Sequence, residues 1–90
     1  MAWEIELSDL AIKNLDKLDR TQSQRIVKFL FERVAKLDDP RSIGEALRGS
    51  KLGDLWKYRV GDYRVIADIE DKILRIVVVR IGDRKDIYSR

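Results

Sequence analysis

The feature that most constrains the fold is a pair of strand patterns joined by Gly61-Asp62 in the last third of the chain. The strands are predicted at about 54–60 and 63–70, where β-branched and aromatic residues are frequent. A Gly-Asp pair between two such runs is typical of a two-residue β-hairpin turn. Because the turn length fixes the strand register, Arg59 is predicted to lie directly opposite Arg64.

The same register gathers cationic side chains on one face of the hairpin. Directly opposed side chains share a face, so Lys57, Arg59 and Arg64 are predicted on one side and the apolar residues on the other. Like charges opposite one another destabilise a sheet. The facing arginines therefore indicate a site for a polyanion, and the alternative is an exposed strand edge kept soluble by charge.

The residues before the hairpin predict one strand and two helices. Residues 2–7 alternate in the manner of a half-buried strand. One helix is predicted from an N-cap at Ser8 to about Asp19, and a second from an N-cap at Thr21 to about Leu37. A short helical turn is expected at 42–47. The aromatic residues expected in the core are Trp3, Phe29, Phe31, Trp56 and Tyr58.

A third strand is predicted at 73–81 after the acidic turn that begins at Glu70. Its nearly continuous apolar run suggests a central strand buried on both faces. The whole order predicts an α+β fold: an N-terminal strand, a two-helix hairpin and a three-stranded antiparallel meander, with the helices packed on one face of a twisted sheet. With 90 residues, the chain is expected to form a single domain over 1–90.

Composition narrows the cellular setting. The chain has no cysteine, which favours a reducing cytoplasm, and it shows no secretory signal or long apolar run. Residues 1–45 hold eight Lys/Arg and nine Asp/Glu, a charge of −1, whereas residues 46–90 hold eleven and seven, a charge of +4. This asymmetry points to an anionic partner for the C-terminal half.

The chain lacks several kinds of reactive group. It contains no histidine, and no zinc-ligand, nucleophile or phosphate-loop motif is present, so no cofactor or metal is expected. Asp68, Glu70 and Asp71 could hold a divalent ion, but a solvated turn with Asp68 facing Arg75 is the preferred interpretation.

Lysine, arginine and tyrosine are the remaining candidates for chemistry. Arginine and lysine bind phosphate, and aromatic rings stack on unpaired RNA bases. A cation cluster near Tyr88 could also stabilise a pentacoordinate phosphate while a ribose 2′-hydroxyl attacks it. Such a reaction needs no metal and gives a cyclic phosphate with a free 5′-hydroxyl.

Five segments in order resemble one family over nearly the whole chain. The chain is similar to RelE-type toxins of type II toxin–antitoxin systems, in the RelE/ParE superfamily. The opening strand and helical hairpin carry part of the resemblance. The other segments are Leu-Arg-Gly at 47–49, Trp-Lys-Tyr-Arg at 56–59, Asp-Tyr-Arg-Val at 62–65 and Ile-Gly-Asp-Arg-Lys-Asp-Ile-Tyr at 81–88.

The resemblance implies a ribosome-dependent endonuclease that cuts mRNA and is neutralised by a RelB-like antitoxin. Lys57 and Arg59 match the basic pair on the sheet, and Arg64 matches the arginine at the scissile phosphate. Arg84 would assist the leaving 5′-oxygen, and Tyr88 would position or activate the nucleophile or stack on a base. The expected further RNA contacts are Arg48, Lys51, Arg80 and Lys85.

Two positions depart from the family pattern. Arg59 stands where a lysine is usual, and arginine is a poor base. Asp83 stands where a basic residue or histidine is common, which weakens the local positive field. Two alternatives therefore stay open: a ParE-like inhibitor of DNA gyrase and a non-catalytic RNA-binding module. For Arg48, Lys51, Arg80 and Arg84, surface or ion-pair roles are the competing interpretations.

Overall fold

The hairpin lies inside a five-stranded sheet with the strand order β1-β5-β4-β3-β2. The structure, a computed structural model, describes residues 2–47 and 55–85. The strands and α-helices are β1 (Glu4–Leu7), α1 (Asp9–Lys17), α2 (Arg20–Lys28), β2 (Glu45–Ala46), β3 (Leu55–Val60), β4 (Tyr63–Glu70) and β5 (Arg75–Asp83). The shorter helical segments are a π-helix at Phe29–Arg33 and 3₁₀-helices at Val34–Lys36, Pro40–Ile43 and Asp71–Ile73.

The predicted α+β class and hairpin register are confirmed. Strands β3 and β4 are antiparallel, with Val60 opposite Tyr63 and Arg59 opposite Arg64. Strand β5 pairs with β4, also antiparallel, so the meander has the predicted order. The last strand begins and ends two residues later than expected, because a 3₁₀ turn and a left-handed Leu74 (φ 51°) occupy the start of the predicted run.

Two strand relationships were not anticipated from the sequence. Strand β1 pairs in parallel with β5, from Glu4 opposite Arg75 to Leu7 opposite Val78. A two-residue strand, β2, pairs with β3 at 56–57. The segment 42–47 was predicted as a helical turn, but only its start is helical, and Glu45 and Ala46 extend along β3 instead.

Strand β5 is buried mainly on one face, not on both. Val78 and Ile76 are fully buried on the helix-packed face, whereas Val77 and Val79 are half-buried on the other. The predicted pairing of Asp68 with Arg75 is also wrong, because the register places Glu70 opposite Arg75. The Arg75 guanidinium lies 3.1 Å from Glu4 and 3.6 Å from Glu6, so it connects β1 to the sheet.

One helix N-cap is the predicted residue, and the other lies two residues earlier than predicted. The Ser8 hydroxyl accepts a hydrogen bond from the Ala11 amide at 3.0 Å, as expected. The N-cap of the second helix is Asp19, not Thr21, because the Asp19 carboxylate accepts a hydrogen bond from the Gln22 amide at 2.9 Å. Aspartate and threonine are both good N-cap residues, and the helix begins after the aspartate because it comes two residues earlier in the sequence.

The core lies between the helices and one face of the sheet. Ile26, Leu30 and Val34 are fully buried against Tyr58, Val65 and Val78. Trp3 and Tyr58 are in this core as predicted, and Phe29 and Trp56 pack at its margin. Phe31 was predicted to be buried, but it is 45% exposed because it lies on the outer side of its helix.

Tyr58 connects the sheet to the segment that precedes β2. Its ring is fully buried and meets the Phe29 ring edge-on, with centroids 6.1 Å apart. Its hydroxyl donates a hydrogen bond to the carbonyl oxygen of Pro40 at 2.5 Å. Burial raises the pKa of Tyr58 to about 12, since a phenolate would lose its hydration there.

Replacing Tyr58 with Phe tests this connection and its pH dependence. Loss of the donor to the buried Pro40 carbonyl is expected to lower the unfolding free energy by about 1–3 kcal/mol near neutral pH. The raised pKa of Tyr58 means that the unfolded chain releases this proton first, so wild-type stability should fall as pH rises from about 10 towards about 12. Urea unfolding of both proteins at about pH 8 and about pH 11 measures the two effects.

The expected difference between Tyr58→Phe and the wild-type protein becomes smaller at the higher pH. Tyr63→Phe serves as the control, because Tyr63 is half-buried at the sheet end. A Tyr58→Phe protein that loses as much stability between the two pH values as the wild-type protein would contradict this role.

Candidate anion-binding site at the β3–β4 hairpin

The turn of the hairpin organises the candidate site. Gly61 has a φ of +61°, a left-handed conformation that favours glycine. The carbonyl oxygen of Asp62 accepts a hydrogen bond from the Arg84 amide at 2.9 Å. The turn between β3 and β4 is therefore tied to the end of β5, and Arg59, Arg64 and Arg84 all lie at this end of the sheet.

Arg64 is the most constrained of the candidate residues that the structure describes. It is only 8% exposed, and its Nη1 donates to the carbonyl oxygens of Gly61 and Tyr63 at 3.1 and 3.0 Å. Within residues 2–47 and 55–85, no carboxylate forms an ion pair with it, and Nε and Nη2 have no hydrogen-bond partner. The guanidinium is thus oriented by the turn, with donors still available for an anion.

Arg59 adds a second guanidinium on the neighbouring strand. It is exposed and lies directly opposite Arg64. The carbonyl oxygens bound to Arg64 carry partial negative charge, which offsets part of the repulsion between the two arginines. The remaining positive charge favours an anionic ligand, and guanidinium groups bind phosphate oxygens well.

Lys57 lies two residues along β3 on the same face, but it already has a partner. Its Nζ is 3.7 Å from a carboxylate oxygen of Glu45, and its side chain is 27% exposed. This ion pair depends on β2, the strand that the sequence did not predict. Lys57 and Arg59 line one cleft of about 320 Å³ at the edge of β3.

The candidate residues on and after β5 are less closely grouped. Arg80 is half-buried opposite Ile66 and lines a separate cleft with Asn14 and Lys17. Arg84 and Lys85 are exposed in the turn after β5. Three predicted site residues, Arg48, Lys51 and Tyr88, lie outside the described residues.

Asp83 has a place that the sequence did not reveal. It lies opposite Tyr63, which packs against the helix-side core, so the register assigns it to the helix-packed face. Its carboxylate accepts the Lys85 amide at 2.8 Å and so shapes the turn that carries Arg84. The acid is therefore separated by the sheet from the face that holds Arg59 and Arg64.

Arg25 on α2 is a cation near the hairpin that the sequence analysis missed. A Cβ added at Gly61 would lie 2.8 Å from Nη1 of Arg25, so the guanidinium rests against the turn backbone. The helical pattern identified α2 only by its apolar side. That Arg25, on the polar side of this helix, lies near the hairpin could be predicted only if the packing of α2 on β3 were known.

Other kinds of site find little support in the described residues. Residues 2–47 and 55–85 contain no group of three His, Cys, Asp or Glu side chains placed to hold a metal ion. In the same part of the chain, none of the helices is long and apolar enough to cross a bilayer.

Known proteins similar to this chain are small toxins. Residues 5–88 match the profile of a family described as the ParE toxin of the type II toxin–antitoxin system parDE. The toxin RelG of Mycobacterium tuberculosis is 29% identical over 90 residues, all of both chains. The mRNA interferase toxin RelE of Escherichia coli is 29% identical over 91 residues, which cover 99% of this chain and 93% of that one.

Solved structures agree with these sequence matches. A chain of a RelBE toxin–antitoxin complex from Mycobacterium tuberculosis superposes with a TM-score of 0.84 at 26% identity, covering 96% of this chain and 95% of that one. A double mutant of Escherichia coli RelE in the free state gives a TM-score of 0.76 at 27% identity, covering 99% and 93%. The chain is a RelE-type toxin and belongs to the ParE toxin family of type II toxin–antitoxin systems.

Proposed function

We propose that this toxin is an endoribonuclease that cuts mRNA on the ribosome and so inhibits translation. The observation that carries the proposal is the pair of facing arginines, Arg59 and Arg64, the second nearly buried and held by the turn carbonyls. Guanidinium groups bind phosphate oxygens through paired donors. The name mRNA interferase, given to a relative of similar length, supports the same chemistry.

The proposed reaction is attack of a ribose 2′-oxygen on the adjacent phosphorus. A bond forms from the 2′-oxygen to phosphorus, and the bond from phosphorus to the 5′-oxygen breaks, leaving a 2′,3′-cyclic phosphate and a 5′-hydroxyl. The 2′-hydroxyl loses its proton to a base that we do not assign, and the leaving 5′-oxygen gains one. No atom is added from water in this step.

Each proposed site residue has a role set by its charge and place. Arg59 and Arg64 would stabilise the extra negative charge on the pentacoordinate phosphate, a contribution that is often the largest in such sites. Arg84 would stabilise the leaving 5′-oxygen, since the turn after β5 brings it to the hairpin end. Lys57 would bind a neighbouring phosphate, and Tyr88 would position the nucleophile.

The chemistry of this cation set supports the proposed dependence on the ribosome. Arginine stays protonated in proteins and does not take up the proton of a 2′-hydroxyl at neutral pH. An active site that mainly stabilises charge needs its substrate aligned for in-line attack by another surface. We propose that the ribosome supplies this alignment in the cytoplasm, where it holds the mRNA.

An antitoxin is the second proposed partner. The solved relatives include RelBE and RelE–RelB complexes, from Mycobacterium tuberculosis and Pyrococcus horikoshii. We propose that a RelB-like antitoxin binds this chain and covers its basic surface. Such a partner would explain how a cell tolerates a toxin directed at its own translation.

Replacing Arg64 with Ala tests the proposed site. Loss of one preorganised charge at the transition state is expected to slow cleavage at least about 100-fold. Primer extension on a known message, with purified ribosomes, measures the cuts. Arg75→Ala is the matched control, since it removes an arginine paired with Glu4 at the other end of the sheet.

Arg64 also holds the turn, so folding must be checked separately. Arg64→Lys keeps the charge but not the paired donors, and both variants are compared by circular dichroism and urea unfolding. A folded Arg64→Ala protein that cuts at the wild-type rate would refute the site. DNA-damage signalling with translation intact would favour a gyrase inhibitor, and RNA binding without scission would favour a non-catalytic module.

Sulfur substitution at the scissile phosphate tests whether a guanidinium or a metal contacts it. Replacing a non-bridging oxygen with sulfur should slow cleavage, and added cadmium should not restore the rate if arginine makes the contact. This design leaves ribosomal magnesium in place, which removal by a chelator would not. Cadmium-dependent recovery of cleavage would contradict metal-independent catalysis.

A further inference from the structure

A groove follows the edge of β3 on the side of α2 and the π-helix. Strand β2 pairs with β3 only at 56–57, so in the described part of the chain the segment Tyr58–Val60 pairs with β4 on one side and has no strand on the side of the groove. Two clefts of about 320 and 510 Å³ meet here and share Phe29, Arg33 and Arg59. We call these joined clefts the β3-edge groove.

The larger cleft is strongly basic. It is lined by the exposed cations Arg25, Lys28, Arg33 and Arg59 and by one acid, Glu32, for a net charge of +3. In residues 2–47 and 55–85, none of the four cations forms an ion pair, whereas Lys57 in the neighbouring cleft is paired with Glu45. Four cations that lie close together without an ion-paired carboxylate indicate a surface that binds an anion.

The π-helix explains how two of these cations reach the same cleft. In an α-helix, residues five apart point in directions that differ by about 140°, because each residue turns the chain by about 100°. A π turn closes with bonds between residues i and i+5, so Lys28 and Arg33 come onto one side. The Val34 amide donates to the carbonyl oxygens of both Leu30 and Phe29, and the second of these bonds is of the i to i+5 kind.

Phe29 gives the groove an aromatic component between the cations. Its ring lines both clefts and is held edge-on by Tyr58. Sites for single-stranded nucleic acids combine cations along the phosphate backbone with aromatic rings on which the bases stack. Besides Phe29, the apolar residues that line the groove are Ile43 and Val60, and Val60 is only 5% exposed.

We propose that the β3-edge groove binds a second stretch of single-stranded RNA, with phosphates on Arg25, Lys28 and Arg33 and a base against Phe29. The inference rests on the proposed function and extends it. Arg59 joins the two surfaces, because it lies opposite Arg64 on the sheet and also lines the groove. The RNA would pass around the edge of β3 from the scissile phosphate to the helix side.

Binding of an uncleavable RNA tests the groove without requiring catalysis. The probe is a fluorescent single-stranded oligonucleotide with 2′-O-methyl groups, which block the attacking oxygen. Anisotropy titrations over a range of salt concentrations compare the wild-type protein with Lys28→Gln/Arg33→Gln. Loss of two phosphate contacts should reduce the slope of log affinity against log salt by about 1.4 and weaken binding about tenfold at moderate salt.

The matched control is Lys13→Gln/Arg20→Gln, which removes two exposed helix cations that line neither cleft. This control should leave the RNA affinity and the slope of log affinity against log salt mostly unchanged. Equal losses in the two double variants would overturn the inference, because they would show a general charge effect. Unchanged RNA binding by Lys28→Gln/Arg33→Gln, with weaker binding of an acidic antitoxin peptide, would also overturn it.

The test of RNA binding at the groove can be distinguished from the test of the proposed nuclease activity. The same two substitutions are made in the Arg64→Ala protein, which should cleave at least about 100-fold more slowly but should still show the lowered salt slope. If Arg64→Ala loses cleavage but the groove variants keep the wild-type slope of log affinity against log salt, the groove proposal is wrong and the nuclease proposal is still supported.

Discussion

The hydrogen bonds from Arg64 to the carbonyl oxygens of Gly61 and Tyr63 are the interaction on which the candidate site depends. The hairpin register places Arg64 opposite Arg59, and like charges directly opposite one another destabilise a sheet. Neither arginine can leave this position unless the strands change register. The turn carbonyls hold the Arg64 guanidinium in place, so its position opposite Arg59 is part of the folded structure.

Local chemistry was sufficient to predict much of this architecture. The Gly61-Asp62 turn fixed the pairing of β3 and β4, and the alternation of apolar residues separated the core face from the face with Lys57 and Arg59. The Ser8 cap was likewise readable, because it depends on a side chain and an amide three residues away. These features share one property: their partners are close in the sequence.

The features that could not be predicted depend on distant parts of the chain. The two residues of β2 acquire their extended shape from β3, and only then does Glu45 meet Lys57. The position of Arg25 against Gly61 requires the packing of α2 on the hairpin. The π turn at Phe29–Arg33 also has no sequence signal that distinguishes it from an α-helix, yet it decides which side Arg33 takes.

The parallel pairing of β1 with β5 has a consequence for synthesis of the toxin. The Ser8 hydroxyl bonds the Val79 carbonyl, across 71 positions of sequence, and α1 packs against β5 as well. During translation the first strand and helix emerge long before their neighbour in the sheet exists, and such distant contacts form late. The first strand and helix of the nascent chain therefore cannot complete their packing until β5 has been synthesised.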